Sequence, residues 1–278
     1  MPIVNVADKN FYMDGYLKKN LDFVKDKVIH RVNMFTCIVS GRSGSGKSTA
    51  VGQWAYYLSN GKFGIDQETF TPQQFMEGLE TIDKGNSLVL DEAFAIMNKR
   101  KTLSSQNMIG LSMLQQARIK QCFIFIVLPS MYDLDKNLIL NIADLHIRCY
   151  RKPFGRRGQF CVYNRKRLKN LWLHCRQSYS YSPKIAKANF RGRFTKFFPL
   201  DIKAYEKKKA LSLKSLVEEQ KREGGKYIDQ RNKLIRAYKE ENKSVKDICG
   251  ITGLKQRTIY DIINKEDKAK VVEIEEKV

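Results

Sequence analysis

Cys37-Ile-Val-Ser-Gly-Arg-Ser-Gly-Ser-Gly-Lys-Ser-Thr49 is the stretch on which the reading of this 278-residue chain turns. Gly41, four residues, then Gly46-Lys47-Ser48 is the G-x-x-x-x-G-K-[ST] spacing of a phosphate-binding loop. Its glycines, 41, 44 and 46, let the backbone turn tightly and aim N–H groups at an anion. The helix expected to follow points its positive end at the same place. Gly41, Arg42, Ser43, Gly44, Ser45, Gly46, Lys47, Ser48 and Thr49 are therefore candidate nucleotide-binding residues. Lys47 would reach the outer phosphates, and Ser48 would ligate a divalent metal.

The flanks agree. Met34 to Val39 is apolar and partly β-branched, as a buried strand should be. Val51, Trp54, Ala55 and Leu58 then recur at helical spacing. Downstream, Ser87-Leu-Val-Leu-Asp-Glu92 is an apolar strand that delivers Asp91 and Glu92 at its C-terminal end, the edge at which α/β sheets bind ligands. Asp91 is a candidate to hold the metal and its water shell, Glu92 to polarise an attacking water. A capping acid at a strand end is the plainer alternative, weakened by a phosphate loop some 45 residues upstream.

Cys122 to Leu128 is unbroken apolar sequence, expected in the middle of a parallel sheet covered on both faces. Pro129-Ser130 ends it and places Ser130 where it could sense a terminal phosphate or simply close a turn. Asp144 to Tyr150 and Gln159 to Asn164 read as two further strands, and Gln67 to Thr71 as a weak one. Thr71-Pro72 is a helix start. Leu21, Val24, Val28 and Ile29 suggest a short amphipathic helix near the N-terminus, either packed on the core or covering a nucleotide base.

Charge is concentrated. The formal net charge is +22, and the stretch from Arg148 to Lys214 carries twenty Lys and Arg against two acids, Asp201 and Glu206. Such a field suits a polyanion, nucleic acid before an anionic membrane surface. Arg156, Arg157, Arg165, Lys166 and Arg167 are the candidate contacts there. The interleaved aromatics, Tyr179, Tyr181, Phe190, Phe194, Phe197 and Phe198, suit strand stacking or, for most of them, a subdomain core. After Gly224-Gly225, which reads as a linker, Ser244 to Ile263 fits a helix-turn-helix, with Ile248, Leu254, Ile259 and Ile262 inward and Gly253 at the turn. Lys255, Gln256, Arg257 and Tyr260 would then face DNA. A helical hairpin serving subunit contacts is the alternative.

These signals give an α/β fold: a P-loop NTPase with a parallel central sheet flanked by helices, a basic mixed extension and a small C-terminal helical domain. The expected division is 1–33 lead-in, 34–150 core, 151–223 basic extension contacting nucleic acid, 226–265 helix-turn-helix and 266–278 charged tail. The six scattered cysteines form no C-x-x-C pair and read as buried free thiols in a reducing compartment. The longest apolar run, Phe123 to Pro129, is too short for a membrane span, and the N-terminus lacks the apolar core of a signal peptide. A cytoplasmic setting is expected, the host cytoplasm if the chain is viral.

With the loop, Asp91-Glu92, Gln115-Gln116-Ala117-Arg118 and Leu128-Pro-Ser-Met-Tyr-Asp-Leu-Asp135 in view, residues 34–150 resemble the additional-strand catalytic-glutamate branch of P-loop ATPases. Within that branch they look most like FtsK/HerA-type DNA-pumping ATPases and the zonular-occludens-toxin-like proteins of phages and archaeal elements. The resemblance implies ATP and Mg²⁺ as cofactors, metal at Ser48 and Asp91, and water activation by Glu92. It also implies DNA as partner and homo-oligomeric rings, for which a hexamer is one possible size. An arginine from a neighbouring subunit, Arg118 or Arg148, would complete such a site. Two departures stand out: toxin-like relatives carry a membrane segment, and many relatives have Asn or Gln where Ser130 stands. The expected activity is an ATP-driven DNA motor. A nucleotide-switched loader or regulator with slow turnover is the runner-up, and a small-molecule kinase, which shares the loop, is opposed by the basic stretch.

Overall fold

The computed structural model describes residues 2–30, 34–91, 117–151 and 157–263, with the side chains at 117, 118, 217 and 219–227 outside the description. Glu92, Gln115, Gln116 and Arg156 fall outside the described residues, as does the side chain of Arg118. The chain divides into two compact units, Met1–Leu213 and Lys214–Val278.

The first unit is built on a seven-stranded sheet. Its strands are β3 (Phe35–Ser40), β4 (Glu68–Thr69), β5 (Ser87–Leu90), β6 (Phe123–Leu128), β7 (Leu145–Tyr150), β8 (Gln159–Asn164) and β9 (Phe190–Arg193). They lie in the order β4-β5-β6-β3-β7-β8-β9. The five strands from β4 to β7 are parallel, and β8 and β9 continue the sheet antiparallel. One strand, β6, separates the loop-bearing β3 from the acid-bearing β5.

All six residues of β3 and of β6 are buried, because helices cover both faces of the parallel part. Alternate side chains feed two cores. Ile38, Leu88, Ile124 and Ile126 pack with α3 (Pro72–Thr81) and α4 (Arg165–Cys175). Cys37, Val39, Val89, Phe125 and Val127 pack under α2 (Lys47–Leu58) on the other face. Thr71 caps α3 by accepting the Gln74 N–H, with Pro72 in the first turn. Asn164 caps α4 by accepting the Arg167 N–H.

The lead-in belongs to the second of these cores. A hairpin of β1 (Ile3–Val6) and β2 (Lys9–Tyr12) precedes α1 (Gly15–His30). Val4, Val6, Phe11, Leu17, Leu21 and Val28 are buried with the α2 residues. Of the two roles open to this segment, packing on the core is the one observed.

A long helix, α5, runs Ile202–Glu240. Gly224-Gly225, expected as a linker, lies inside it, and the division between units falls at Leu213/Lys214 instead. Each glycine weakens a helix by about 1 kcal/mol, but the flanking Glu, Gln, Lys and Arg are strong helix formers. In the second unit, Ile235 packs with Ile248, Ile259 and Ile262. These residues come from the end of α5, from α6 (Val245–Thr252) and from a last helix over 256–263. A Ser244–Asp247 capping box opens α6, and Gly253, at φ 68°, closes it in the left-handed conformation that glycine adopts without strain.

The cysteines carry no disulfide; five are buried and Cys249 is partly exposed. Burial pushes the Cys149 thiol up to about 12 and that of Cys122 to about 11, which leaves both protonated and inert. No helix of the described residues is long and apolar enough to cross a membrane.

Candidate nucleotide site

The loop leaves β3 at Ser40 and closes into α2 at Lys47. Gly44 and Gly46 sit at φ 68° and 89°, conformations that favour glycine. Space makes the same demand: a Cβ on Gly41 would lie 2.2 Å from the Cys149 carbonyl oxygen, and one on Gly46 would lie 2.9 Å from the Phe194 ring. The Gly41 N–H donates to the Pro129 carbonyl (3.1 Å), which ties the loop to the strand end that carries Ser130. No side chain caps α2, so its first N–H groups keep the donors that a phosphate would take. The Ser45 hydroxyl is buried in the loop without a hydrogen-bond partner among the described residues. An uncapped helix start, glycines that leave no room for a side chain and a buried hydroxyl fit a phosphate chain.

Lys47 Nζ donates to the carbonyls of Gly41 (2.9 Å) and Arg42 (3.4 Å), which holds the ammonium across the loop. Ser48 Oγ donates to Asp91 Oδ2 at 2.9 Å. Asp91 is 2% exposed and stands just beyond β5. Its N–H bonds to the Thr69 carbonyl of β4 (2.8 Å). Hard oxygens from Ser48 and Asp91 on one spot are the donor type Mg²⁺ takes.

Four contributors were not foreseen. The Arg151 guanidinium donates to the carbonyls of Gly44 and Ser43 and braces the loop from outside. Tyr205 Oη (2.7 Å) and Lys209 Nζ (3.4 Å), from the first turns of α5, both reach Asp91 Oδ2. Glu68 on β4 is 1% exposed, and neither carboxylate oxygen has a hydrogen-bond partner among the described residues. Its register opposite Val89 puts it on the sheet face of Val89 and Asp91. Burial, then the nearby Asp91 charge, holds its carboxyl well above the usual range. The signal for Glu68 was a charged residue inside a strand candidate. For the others no local signal exists, since they arrive from 107 to 118 residues beyond their partners.

The segment after β9 wraps the same helix. Gln53 of α2 donates to the carbonyls of Thr195 (2.9 Å) and Phe197 (2.6 Å). The Phe194 ring covers Gly46, and Phe198 lies against Gly52. Phe194 is buried, and Phe190 and Phe197 pack on the same core, so the core reading of these aromatics holds. Tyr179, 44% exposed, is the exception.

Ser130 uses its Oγ to accept the Tyr132 N–H, capping a short turn at the end of β6. Arg148 lies with its guanidinium 4.1 Å over the Tyr181 ring. Tyr181 in turn shares a hydrogen bond with Ser40 (2.9 Å), directly before the loop. His146, fully buried beside Ser40 and stacked between Tyr163 and Tyr181, is held neutral: burial, then Arg148, pulls it down to about 3.

Within the first unit, the described residues among the expected nucleic-acid contacts lie at two edges of the sheet. Arg157 precedes β8 at the loop edge of the sheet, whereas Arg165, Lys166 and Arg167 follow β8 at the opposite edge, roughly 20 Å away for a six-residue strand. Arg165 is engaged with the Asn141 carbonyl (2.8 Å) and Asp144 (3.7 Å). In the second unit Lys255, Gln256, Arg257 and Tyr260 are all exposed.

Strand order, glycine loop and the Ser48–Asp91 contact together make an α/β fold with a mostly parallel central sheet, in which a strand–loop–helix unit faces a buried carboxylate. No family model matches the chain, and no curated protein is similar enough to count as a match. Solved structures do match. The N-terminal domain of zonular occludens toxin from Neisseria meningitidis is 19% identical, over 63% of this chain and 98% of that one, with a TM-score of 0.38. The DNA-packaging ATPase B204 from Sulfolobus Turreted Icosahedral Virus is 14% identical, over 49% of this chain and 93% of its own, with a TM-score of 0.36. The FIGL-1 AAA domain, solved with ADP, is 10% identical over 76% and 87%, again with a TM-score of 0.36.

Proposed function

We propose that this chain is a Mg²⁺-dependent ATPase that acts as a motor on DNA, assembled as a homo-oligomer. The observation that carries the nucleotide half is the 2.9 Å contact between Ser48, in the first turn of α2, and Asp91, from a strand two places away in the sheet. Two segments 43 residues apart thereby converge on one metal-binding spot beside an uncapped helix.

Bound Mg²⁺–ATP would supply the phosphoanhydride to be cleaved and a charge that lowers the barrier at its terminal phosphate. The N–H groups of the loop and Lys47 would hold the phosphates in line. Ser48 and Asp91 would hold the metal. Glu92, next along the chain, would orient and deprotonate the attacking water. Arg118 or Arg148, supplied to a neighbouring protomer, would offset the negative charge of the transferred group.

The DNA half is supported by the basic stretch and by the exposed Lys255, Gln256, Arg257 and Tyr260 on the last helix, read as a helix-turn-helix. ATP turnover measured with and without DNA tests the whole. A motor is stimulated several-fold, Glu92→Gln keeps ATP bound while slowing cleavage by orders of magnitude, and affinity for DNA falls steeply between about 50 and 200 mM salt. Turnover indifferent to DNA would favour the nucleotide-switched loader, and a flat salt response would remove the basic grip.

A further inference from the structure

Three donors converge on a single oxygen of Asp91. Ser48 Oγ stands at 2.9 Å, Tyr205 Oη at 2.7 Å and Lys209 Nζ at 3.4 Å from Oδ2. A carboxylate oxygen offers about two lone-pair directions, so this one is saturated. Asp91 itself is buried, while Lys209 keeps about a quarter of its side chain in water.

The first turns of α5 are firmly seated there. The Tyr205 ring lies edge-on to Phe70 (5.5 Å) and to Phe198 (5.1 Å). Lys208 donates to the Ile65 carbonyl (2.8 Å), and Ser212 Oγ accepts from Gln74 Nε2 (2.8 Å). Glu68 adds a second acidic group on the same sheet face, with no hydrogen-bond partner among the described residues.

We propose that Tyr205 and Lys209 are positioning residues that hold Asp91 in place of a divalent cation, and that Mg²⁺ must displace them to bind. The proposal rests on the nucleotide-site reading above and deepens it. Whether the metal meets Asp91 directly or through its water shell, it needs acceptor positions that these two donors fill. A lysine ammonium and a divalent cation on one carboxylate oxygen also repel each other strongly at such distances. The lysine stem is flexible and about a quarter in solvent, so Lys209 is the partner that leaves first. Release of Asp91 by Tyr205 and Lys209 is then coupled to metal loading, and nucleotide with metal competes with the seated form of these turns.

The test is calorimetric titration of the full chain with a non-hydrolysable ATP analogue at a series of Mg²⁺ concentrations. Lys209→Met keeps the stem and removes the charge; Tyr205→Phe keeps the ring and removes the donor. Each should lower the Mg²⁺ concentration that half-saturates analogue binding, Lys209→Met by about three- to tenfold and Tyr205→Phe by less, as expected for losing one competing contact. Lys209→Arg should restore the wild-type value, which a merely structural role would not predict. If the wild-type chain binds the analogue and both variants leave its Mg²⁺ dependence unchanged or weaken it, the proposal is overturned alone. If the wild-type chain binds no analogue at any Mg²⁺ concentration, the nucleotide-site reading falls and takes the proposal with it.

Discussion

The parallel centre of the sheet and its antiparallel edge are made of different material. Strands β3, β5 and β6 are buried at every position and present backbone, not charge, to the site. Strand β9 alternates half-buried Phe190 and Gly192 with exposed Arg191 and Arg193, and the chain beyond it supplies Phe194, Tyr205 and Lys209. The centre sets where the loop and Asp91 lie. The edge and its continuation close over them. A phosphate site of this kind is therefore placed by one third of the chain and covered by another, so damage to the two should be separable.

The largest effect is expected at the centre. Lys47→Ala should lower ATP turnover at least about 100-fold, the scale for removing one charge that stabilises a transition state, with circular dichroism unchanged. Near-normal turnover would break the division, because the loop would then be a structural turn. At the edge, Phe160→Ala on β8 should leave the site's chemistry in place but lower stability by about 3–5 kcal/mol in denaturant titration. Its ring is fully buried against Trp54 and Phe190. A loss under about 1 kcal/mol would mean that β8 is an appendage and not part of the core.

Acid should act on the seam between the two regions. His146 is neutral when folded, with its pKa near 3, against an unfolded value of about 6.5. The unfolded chain therefore binds the extra proton between these values, and stability falls as pH drops below about 6.5. The loss is about 2 kcal/mol at pH 5 relative to pH 7. His146→Gln should flatten that limb of a melting-temperature profile; an unaltered slope would assign it to other groups. The smallest effect belongs to the wrapping segment. Gln53→Ala removes one donor from the Thr195 and Phe197 carbonyls and should lower stability by about 1–2 kcal/mol. No change would show that this segment is not fastened to α2.

What was legible in the chain follows the range of the interactions. The glycine loop, the apolar run from Phe123 and the strand ending at Asp91 are local patterns, and β8 lies where alternation and turn residues put it. The hairpin of β1 and β2 escaped notice because each strand is four residues long, and the two bury only three apolar side chains, Val4, Val6 and Phe11. β4 is only two residues long, and its place is fixed by pairing with β5. Gly224-Gly225 misled because local breaker residues were weighed without the helix formers around them. Tyr205 and Lys209 carry no mark of their role; 114 and 118 residues separate them from Asp91, and only the folded sheet brings them there.

The chain has two tryptophans, and their positions differ usefully. Trp54 rides on α2, two turns beyond Lys47, wedged edge-on between Phe160 and Phe194. Trp172 lies in the core on the other face of the sheet, with the Arg176 guanidinium 4.9 Å over its ring. An indole shielded by aromatic edges and one beneath a cation emit differently, so a Trp172→Phe chain would leave a single tryptophan, selectively excited at the red edge, on the helix that begins at the glycine loop. Any occupant that shifts Phe194 over Gly46 would then announce itself in the emission of Trp54, without a label.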